Sequence, residues 1–289
     1  MDLDNIAAEL RARDGGEAID LGMAIGRRFW TAIIVPWLIL VGGVFAVGTL
    51  AAYLHGSPAM VSWVGLLLWL LKPAYDRVPL LVVSRGLFGD VPSTRRTLDH
   101  TLSRWLSMDT LLDCTVRRLT PYRSFTMPIR ELEAHSDRQY GDRKKALLRR
   151  GTRRSVISLI GVAAVAEQLM LVGIISFIGM VLPTEAQSGM LVDPSTWTQS
   201  GGVATWLLIG GLASYFLAVS LVEIFYVTSG FGLYINRRVQ LEGWDIELEF
   251  RRMASRHRDR PGSHRALGML AAAGLAAGLL LGGAPDARA

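Results

Sequence analysis

Residues 155–182, SVISLIGVAAVAEQLMLVGIISFIGMVL, contain one charged residue, Glu167. The hydrocarbon core of a bilayer is about 30 Å thick and an α-helix rises about 1.5 Å per residue, so about 20 apolar residues cross it. The stretch is therefore predicted to be a transmembrane helix.

Four further apolar runs flank this stretch. Residues 29–54 and 203–235 are each long enough to span a bilayer, whereas residues 266–281 are shorter and consist mostly of Ala, Leu and Gly. Residues 59–71 are too short unless the run continues as far as residue 88, so this part of the chain crosses once, kinks or re-enters. The fold class predicted is all-α: a polytopic bundle of four to five transmembrane helices with cytoplasmic amphipathic helices.

The positive charges indicate the orientation. Of the 31 Lys and Arg residues, all except Arg288 lie in residues 1–28, 72–154 and 235–265, and none lies in the loops at 55–58 and 183–202. Because cytoplasmic loops are enriched in Lys and Arg, the N-terminus and both long basic regions are predicted to be cytoplasmic. A bacterial inner-membrane protein with five spans then has its C-terminus outside.

These patterns divide the chain into seven segments. They are a cytoplasmic N-terminal segment (1–28), a first transmembrane pair (29–88), a basic cytoplasmic helical region (89–154), a second transmembrane pair (155–235), a cytoplasmic helix and linker (236–265), a fifth transmembrane helix (266–283) and an external tail (284–289). Since the basic residues flank apolar runs, they are assigned to membrane topology, and no nucleic-acid partner is expected.

The basic region at 89–154 is predicted to begin with a long amphipathic helix. Ser93 is a suitable N-cap, and apolar residues then recur at helical spacing. These are Leu98, Leu102, Trp105, Leu112, Val116 and Leu119. Such a helix either covers the cytoplasmic face of its own protein or lies on the membrane surface.

Two acidic residues fall inside predicted spans. Glu167 follows Arg154 by 13 residues and Glu223 precedes Arg237 by 14, so antiparallel neighbouring helices would place the two carboxyls at a similar depth. Ionisable residues in membranes are costly and often functional, and with Gln168 and Tyr226 these acids form a candidate intramembrane polar site. The alternative is that they only hold helices together.

Other motifs are sparse. Gly274, Gly278 and Gly282 repeat at intervals of four, which favours close helix packing within the chain or in an oligomer. No nucleotide-binding loop or metal-binding spacing is present, and the single cysteine, Cys114, cannot form an intrachain disulfide. Residues 228–232, TSGFG, are reminiscent of an intramembrane serine-protease loop, but no histidine lies within a span to act as base. A non-enzymatic protein without cofactor or metal is expected.

Two longer motifs carry a family resemblance. They are residues 71–89, LKPAYDRVPLLVVSRGLFG, and residues 222–248, VEIFYVTSGFGLYINRRVQLEGWDIEL, accompanied by EAIDLG at 17–22. Together they resemble an uncharacterised family of bacterial inner-membrane proteins that are often encoded near a MoxR-type AAA ATPase. The resemblance implies a membrane location and brings no established activity.

The first motif also has physical content. Lys72 and Asp76 stand four residues apart, so they are expected to pair at the membrane edge, where Arg77 and Arg85 are able to reach phosphates or carboxylates. These four residues are a second candidate site. A lipid-modifying enzyme built on Asp76, Arg77 and Arg85 is a remote alternative, because no known catalytic spacing supports it.

The function expected is that of a scaffold or accessory subunit of a bacterial envelope complex. Its partners would be the lipid bilayer and other membrane proteins or a cytoplasmic AAA ATPase. The rival is a small proton- or cation-coupled transporter or channel that uses Glu167 and Glu223. A transporter needs a polar cavity that reaches both carboxyls, whereas a scaffold would bury them in a dry bundle.

Overall fold

A computed structural model describes residues 11–55, 57–105, 107–133, 137–148, 150–181 and 201–243. The fifth apolar run, its three glycines and residues 244–265 of the 236–265 segment lie outside this part of the chain. The described residues form helices without a strand, and three of the helical segments are long and apolar enough to cross a membrane. The prediction of an all-α bundle is confirmed, and the chain is a multi-pass membrane protein.

The helices are numbered here in chain order. They are α1 (Gly15–Arg28), α2 (Trp30–Trp37), α3 (Gly43–His55), α4 (Pro58–Leu70), α5 (Lys72–Tyr75), α6 (Arg77–Gly86), α7 (Thr94–Trp105), α8 (Met108–Cys114), α9 (Arg123–Glu133), α10 (Asp137–Leu147), α11 (Arg150–Val181) and α12 (Gly201–Glu242). Helices α5 to α10 are called the platform.

The first span is formed by α2 and α3, joined by a π-helical turn at Leu38–Gly42. Pro36 lies just before this turn, where its missing N–H and its ring disturb regular α-helical hydrogen bonding. The chain then reverses, and α4 packs back against α3. Since α4 has only 13 residues, it is about 20 Å long and stops short of a full crossing.

Residues 59–88 kink rather than continue as one helix. Leu71 ends α4, Pro73 lies in the first turn of α5, and Asp76 separates α5 from α6. Helix α6 is buried along almost its whole length, including the charged residue Arg77. A helix that is covered on every side belongs to the packed interior of the protein.

The prediction of one amphipathic helix from Ser93 to Leu119 is wrong. The chain breaks between α7 and α8, and a 3₁₀ turn, Val116–Leu119, follows. The buried residues of α7 are Thr97 and Thr101, whereas Leu102 is 48% exposed. Ser107 explains the break, because its hydroxyl accepts a hydrogen bond from the Thr110 N–H and so caps α8.

Helix α12 is the longest element and joins the membrane region to the platform. Its 42 residues extend about 63 Å, roughly twice the thickness of a bilayer core. It therefore continues beyond the predicted end at residue 235, and its second half is surrounded by α1, α6 and α9. The candidate membrane span of this helix is Trp206–Glu242.

The TSGFG stretch is a helix-packing seam within α12. A Cβ atom added at Gly232 would lie 2.3 Å from the Ala18 carbonyl oxygen of α1. One added at Gly230 would lie 2.4 Å from the Ser124 Cβ of α9. The small residues are needed because the backbones of three helices approach closely here. No serine nucleophile is formed, since the Ser229 hydroxyl donates to the Ile19 carbonyl.

The seam predicts the effect of adding a single methyl group. In Gly22→Ala the new Cβ would stand 2.4 Å from the Thr228 carbonyl oxygen, so α1 must shift and the protein should lose about 1–3 kcal/mol of stability. Thermal unfolding in detergent, followed by circular dichroism, measures this loss. Gly210→Ala on α12 is the control, because no atom lies within 4 Å of its added Cβ. Equal melting temperatures for the two variants would contradict the packing described.

Candidate functional site

Lys72, the first residue of α5, binds the two acids predicted to lie at a common depth. Its Nζ lies 2.9 and 2.7 Å from the two carboxylate oxygens of Glu167 on α11, and 3.0 Å from Oε2 of Glu223 on α12. Glu223 is 3% exposed and Lys72 is 6% exposed. The structure thus joins both acids through one ammonium group.

Glu223 has a second cationic partner. Arg123, at the start of α9, donates a hydrogen bond to the Glu223 carboxylate, and the same guanidinium nitrogen lies 3.1 Å from Asp76. Negative and positive groups therefore alternate along a chain of contacts. This chain, called the charge cluster, runs Glu167–Lys72–Glu223–Arg123–Asp76.

The depth of the charge cluster follows from the opposite ends of the helices. Glu167 precedes the end of α11 at Val181 by 14 residues, and Lys72 follows the start of α4 at Pro58 by the same number. Both distances correspond to about 21 Å of helix. The charge cluster therefore lies near the end of the apolar helices that adjoins the platform.

Burial makes the pairing of these charges essential. A charge transferred from water into a protein interior costs several kcal/mol, and only close opposite charges and hydrogen bonds offset that cost. Here Lys72 and Arg123 each contact two carboxylates. The cluster therefore fixes α5, α9, α11 and α12 to one another, because separating any of them leaves a buried charge without its partner.

The other members of the predicted intramembrane site are placed differently. Gln168 is exposed on α11, so it does not belong to the site. Helix geometry explains this, since adjacent residues point about 100° apart and only Glu167 faces the bundle. Tyr226 does lie beside the charge cluster, with its ring 5.6 Å from the Arg123 guanidinium.

The expected Lys72–Asp76 pair at the membrane edge is also wrong. Both residues are buried, and each finds its ion partner on another helix: Lys72 on α11 and α12, Asp76 on α9. The backbone keeps the helical spacing, because the Asp76 N–H donates to the Lys72 carbonyl at 3.0 Å, but stronger ion partners lie on the neighbouring helices. Buried carboxylates elsewhere compete for the ammonium group.

Arg77 belongs to a second network, inside the platform. It is 2% exposed and donates to the Thr110 hydroxyl, and its Nε lies 3.1 Å from Glu131. Its Nη2 lies 3.6 Å from Asp113, which also binds Arg130. Arg77 thus links α6 with α8 and α9 and is not available to a lipid phosphate.

Arg85, the last residue of the membrane-edge motif, lines a separate cavity of about 320 Å³. The cavity lies between α6, α7, α9 and α12, and much of its wall is apolar. Arg77 also lines this cavity, but it is engaged by Asp113 and Glu131, whereas Asp76 lies in the charge cluster beside Arg123. Asp76, Arg77 and Arg85 therefore do not converge as the acids and bases of a lipid-modifying enzyme would need to.

The second motif ends in a third network at the far end of α12. Glu133 of α9 accepts hydrogen bonds from Arg143 of α10 and from the Tyr234 hydroxyl of α12, the latter at 2.7 Å. Glu242 binds Arg143 and Arg238. Burial raises the pKa of Glu133, but the hydrogen bonds from Arg143 and Tyr234 outweigh it and hold the pKa below its usual value.

Asn236 of α12 binds the N-terminal segment by hydrogen bonds to its backbone. Its side-chain oxygen accepts a hydrogen bond from the Arg13 N–H, and its side-chain nitrogen donates to the Arg13 carbonyl. The amide therefore acts as a backbone substitute that holds the start of α1 against α12. Asn236 of the second motif thus has a structural role.

A cavity of about 180 Å³ lies against the charge cluster. Its walls contain three cations, two carboxylates and several apolar residues. They are Trp69, Lys72, Arg118, Thr120, Arg123, Ile160, Ala163, Ala164, Glu167, Val222, Glu223 and Tyr226. The residues that the structure describes include no group of three His, Cys, Asp or Glu side chains able to hold a metal ion.

Sequence reasoning missed Arg118 and Arg123. Both lie in a polar stretch interrupted by Pro121, where arginines flanking a membrane span are common and carry no special pattern. Arg118 stacks on Trp69, its guanidinium carbon 3.5 Å from the ring centroid, and donates to the Leu70 carbonyl at the end of α4. The sequence offered one signal: two acids inside predicted spans need cations nearby, and these had to come from the neighbouring basic region.

Comparison of the chain with protein-family models, with curated proteins and with solved structures found no match. The resemblance to the bacterial inner-membrane family therefore stays a prediction that depends on the two motifs.

The charge cluster predicts a large loss of stability when its central cation is removed. Lys72→Met leaves Glu167 without its ion partner and Glu223 with one cation fewer, so the folded state should lose about 3–5 kcal/mol. Unfolding in detergent measures the loss, and Lys145→Met is the control because its ammonium is exposed.

A second substitution tests the cause of that loss. Adding Glu167→Gln to Lys72→Met removes one uncompensated charge, so the double variant should be more stable than Lys72→Met alone. If Lys72→Met melts at the same temperature as Lys145→Met, the ion pairs of Lys72 do not hold the charge cluster together.

Proposed function

We propose that this chain is a non-enzymatic scaffold or accessory subunit of a bacterial envelope complex. It lies in the inner membrane with its N-terminus and platform in the cytoplasm, as the concentration of Lys and Arg on that side favours. The observation that carries the proposal is the charge cluster, which ties a membrane-embedded bundle to the platform through buried ion pairs.

A platform held in this way is suited to present a fixed surface. Its internal networks use Arg77 and Glu133 to bind α6, α8, α9, α10 and α12 together, so little freedom remains for relative motion of these helices. Rigidity of this kind reduces the entropy lost when a partner binds.

The platform also has exposed apolar side chains at the break between α7 and α8. Met108 is 70% exposed, Leu111 is 49% exposed and Leu102 is 48% exposed. Neighbouring exposed apolar residues often mark a surface that contacts another protein. We place the partner, another membrane protein or the AAA ATPase implied by the family resemblance, at this surface.

Site-specific crosslinking in native membranes tests the scaffold. A photoreactive amino acid at Met108 or Leu102 should yield the same discrete adduct of higher mass, because both positions face the proposed partner. The control is Leu54 in α3, which is 76% exposed but lies at the opposite end of the first span.

The adduct should disappear when the platform is disorganised by Arg77→Ala, with the protein level in the membrane checked separately. A platform that crosslinks only to lipid, or equally from Leu54, would overturn the scaffold proposal.

A transporter is the second candidate, and one observation favours it. The 180 Å³ cavity contacts Glu167 and Glu223, as a coupling site for a proton or cation would require. Against it, both carboxylates are already bound by Lys72 or Arg123. A transported cation would have to displace a tethered ammonium or guanidinium group.

Flux measurements distinguish the two functions. Purified protein in vesicles that contain a pH-sensitive dye should show no proton flux above that of protein-free vesicles if the chain is a scaffold. A flux that Glu223→Gln abolishes, while Glu242→Gln at the far end of α12 leaves it intact, would establish the transporter instead.

A further inference from the structure

The cavity beside the charge cluster contains one cation that no carboxylate neutralises directly. Within the part of the chain that the structure describes, no ion pair is formed by Arg118, whose one hydrogen bond goes to the Leu70 carbonyl. Its Nε is buried and has no hydrogen-bond partner. The other two cations of the cavity, Lys72 and Arg123, contact two carboxylates each.

Besides Glu167, the wall of the cavity that α11 forms is apolar, and it adjoins the exposed face of that helix. Ile160, Ala163 and Ala164 line the cavity, and the adjoining Val162 and Val165 are 65% and 59% exposed. A transmembrane helix with such a face contacts lipid. The small side chains of Ala163 and Ala164 leave room between this face and Arg118.

A ligand for this cavity must therefore combine an anionic group with an apolar body. Arginine binds phosphate oxygens through directed charge-assisted hydrogen bonds, and basic pockets between transmembrane helices on the cytoplasmic side bind anionic lipid headgroups. Trp69 adds an indole ring of the kind that lies at the level of lipid headgroups.

We propose that the cavity binds the phosphate of an anionic phospholipid, with Arg118 as its principal ligand. The glycerol and the first part of the acyl chains lie against Trp69 and the α11 wall. The proposal goes beyond the scaffold function and does not depend on the identity of any protein partner.

The charge cluster limits which phosphate fits. Glu167 and Glu223 also line the cavity, and although they are paired with Lys72 and Arg123 they repel additional negative charge. A phosphodiester, which carries one charge, is therefore preferred to a phosphomonoester, which carries nearly two. Phosphatidylglycerol belongs to the first class and phosphatidic acid to the second.

Native mass spectrometry of the full chain in detergent tests the site. Phosphatidylglycerol should bind more tightly than phosphatidylcholine or phosphatidic acid, and Arg118→Gln should weaken phosphatidylglycerol binding by about tenfold. Arg117→Gln is the matched control, because Arg117 occupies the same 3₁₀ turn but pairs with Asp109 and Asp113. Equal binding by the wild type and Arg118→Gln would overturn the proposal.

A second variant keeps the test valid if Arg118→Gln fails to fold. Ala164→Phe fills the cavity from the exposed face of α11, so it should reduce phosphatidylglycerol binding without disturbing the packed bundle. Val165→Phe is its control, since Val165 is exposed beside the cavity and does not line it. Unchanged lipid binding by Ala164→Phe would place the lipid elsewhere.

Competition distinguishes a lipid from a soluble phosphate. Millimolar inorganic phosphate or glycerol 3-phosphate should leave the bound phosphatidylglycerol in place, because neither has an apolar body to contact α11. Complete displacement by either compound would show that the cavity takes a soluble phosphate, and the lipid assignment would be wrong.

Discussion

The burial of Glu223 is the constraint on which the rest of this structure depends. A carboxylate that is 3% exposed in the membrane-proximal part of a bundle is tolerated only beside positive charge. Lys72 and Arg123 supply that charge from two different parts of the chain. To bring them there, α4 must stop early, the chain must turn at Leu71, and α9 must enter beside α12. The short fourth helix is thus explained by the position its end has to reach.

Buried charges are paired in the platform as well. Arg77 is held by Asp113 and Glu131, and Glu133 is held by Arg143 and Tyr234. Each network joins several helices, and α12 takes part in two of them: Glu223 belongs to the charge cluster and Tyr234 to the Glu133 network. Buried ion pairs add little net stability compared with well-packed apolar residues, but they penalise every arrangement in which a charge loses its partner. They therefore select one relative position of the spans and the platform, which a scaffold needs.

Arg118 differs from these arginines because its interactions are with an aromatic ring and a helix terminus. A guanidinium stacked on Trp69 is fixed in position while its Nε remains without a partner. In the charge cluster beside it, Lys72 and Arg123 are already bound by carboxylates, so Arg118 is the cation of the cavity that remains open to an anionic ligand. A lipid phosphate bound there would contact the end of α4, the 3₁₀ turn and α11 together, and the membrane would then contribute to the position of the platform.

The sequence by itself determined that the chain spans a membrane, that it is all-α and that Glu167 and Glu223 lie at similar depths, because apolar length and helical rise are local properties. It did not determine which cations meet the acids. Lys72 and Asp76 match the spacing of a helical pair, but the carboxylates of α11 and α12 bind Lys72, and Arg123 binds Asp76. Likewise, the spacing of Leu98, Leu102 and Trp105 predicted one long amphipathic helix whose apolar face covers the protein or lies on the membrane surface, whereas the helix ends at Trp105 and α7 buries Thr97 and Thr101. Only the tertiary structure decided these points, since the partner of a buried charge comes from any part of the chain that folding brings near, and local spacing does not record it.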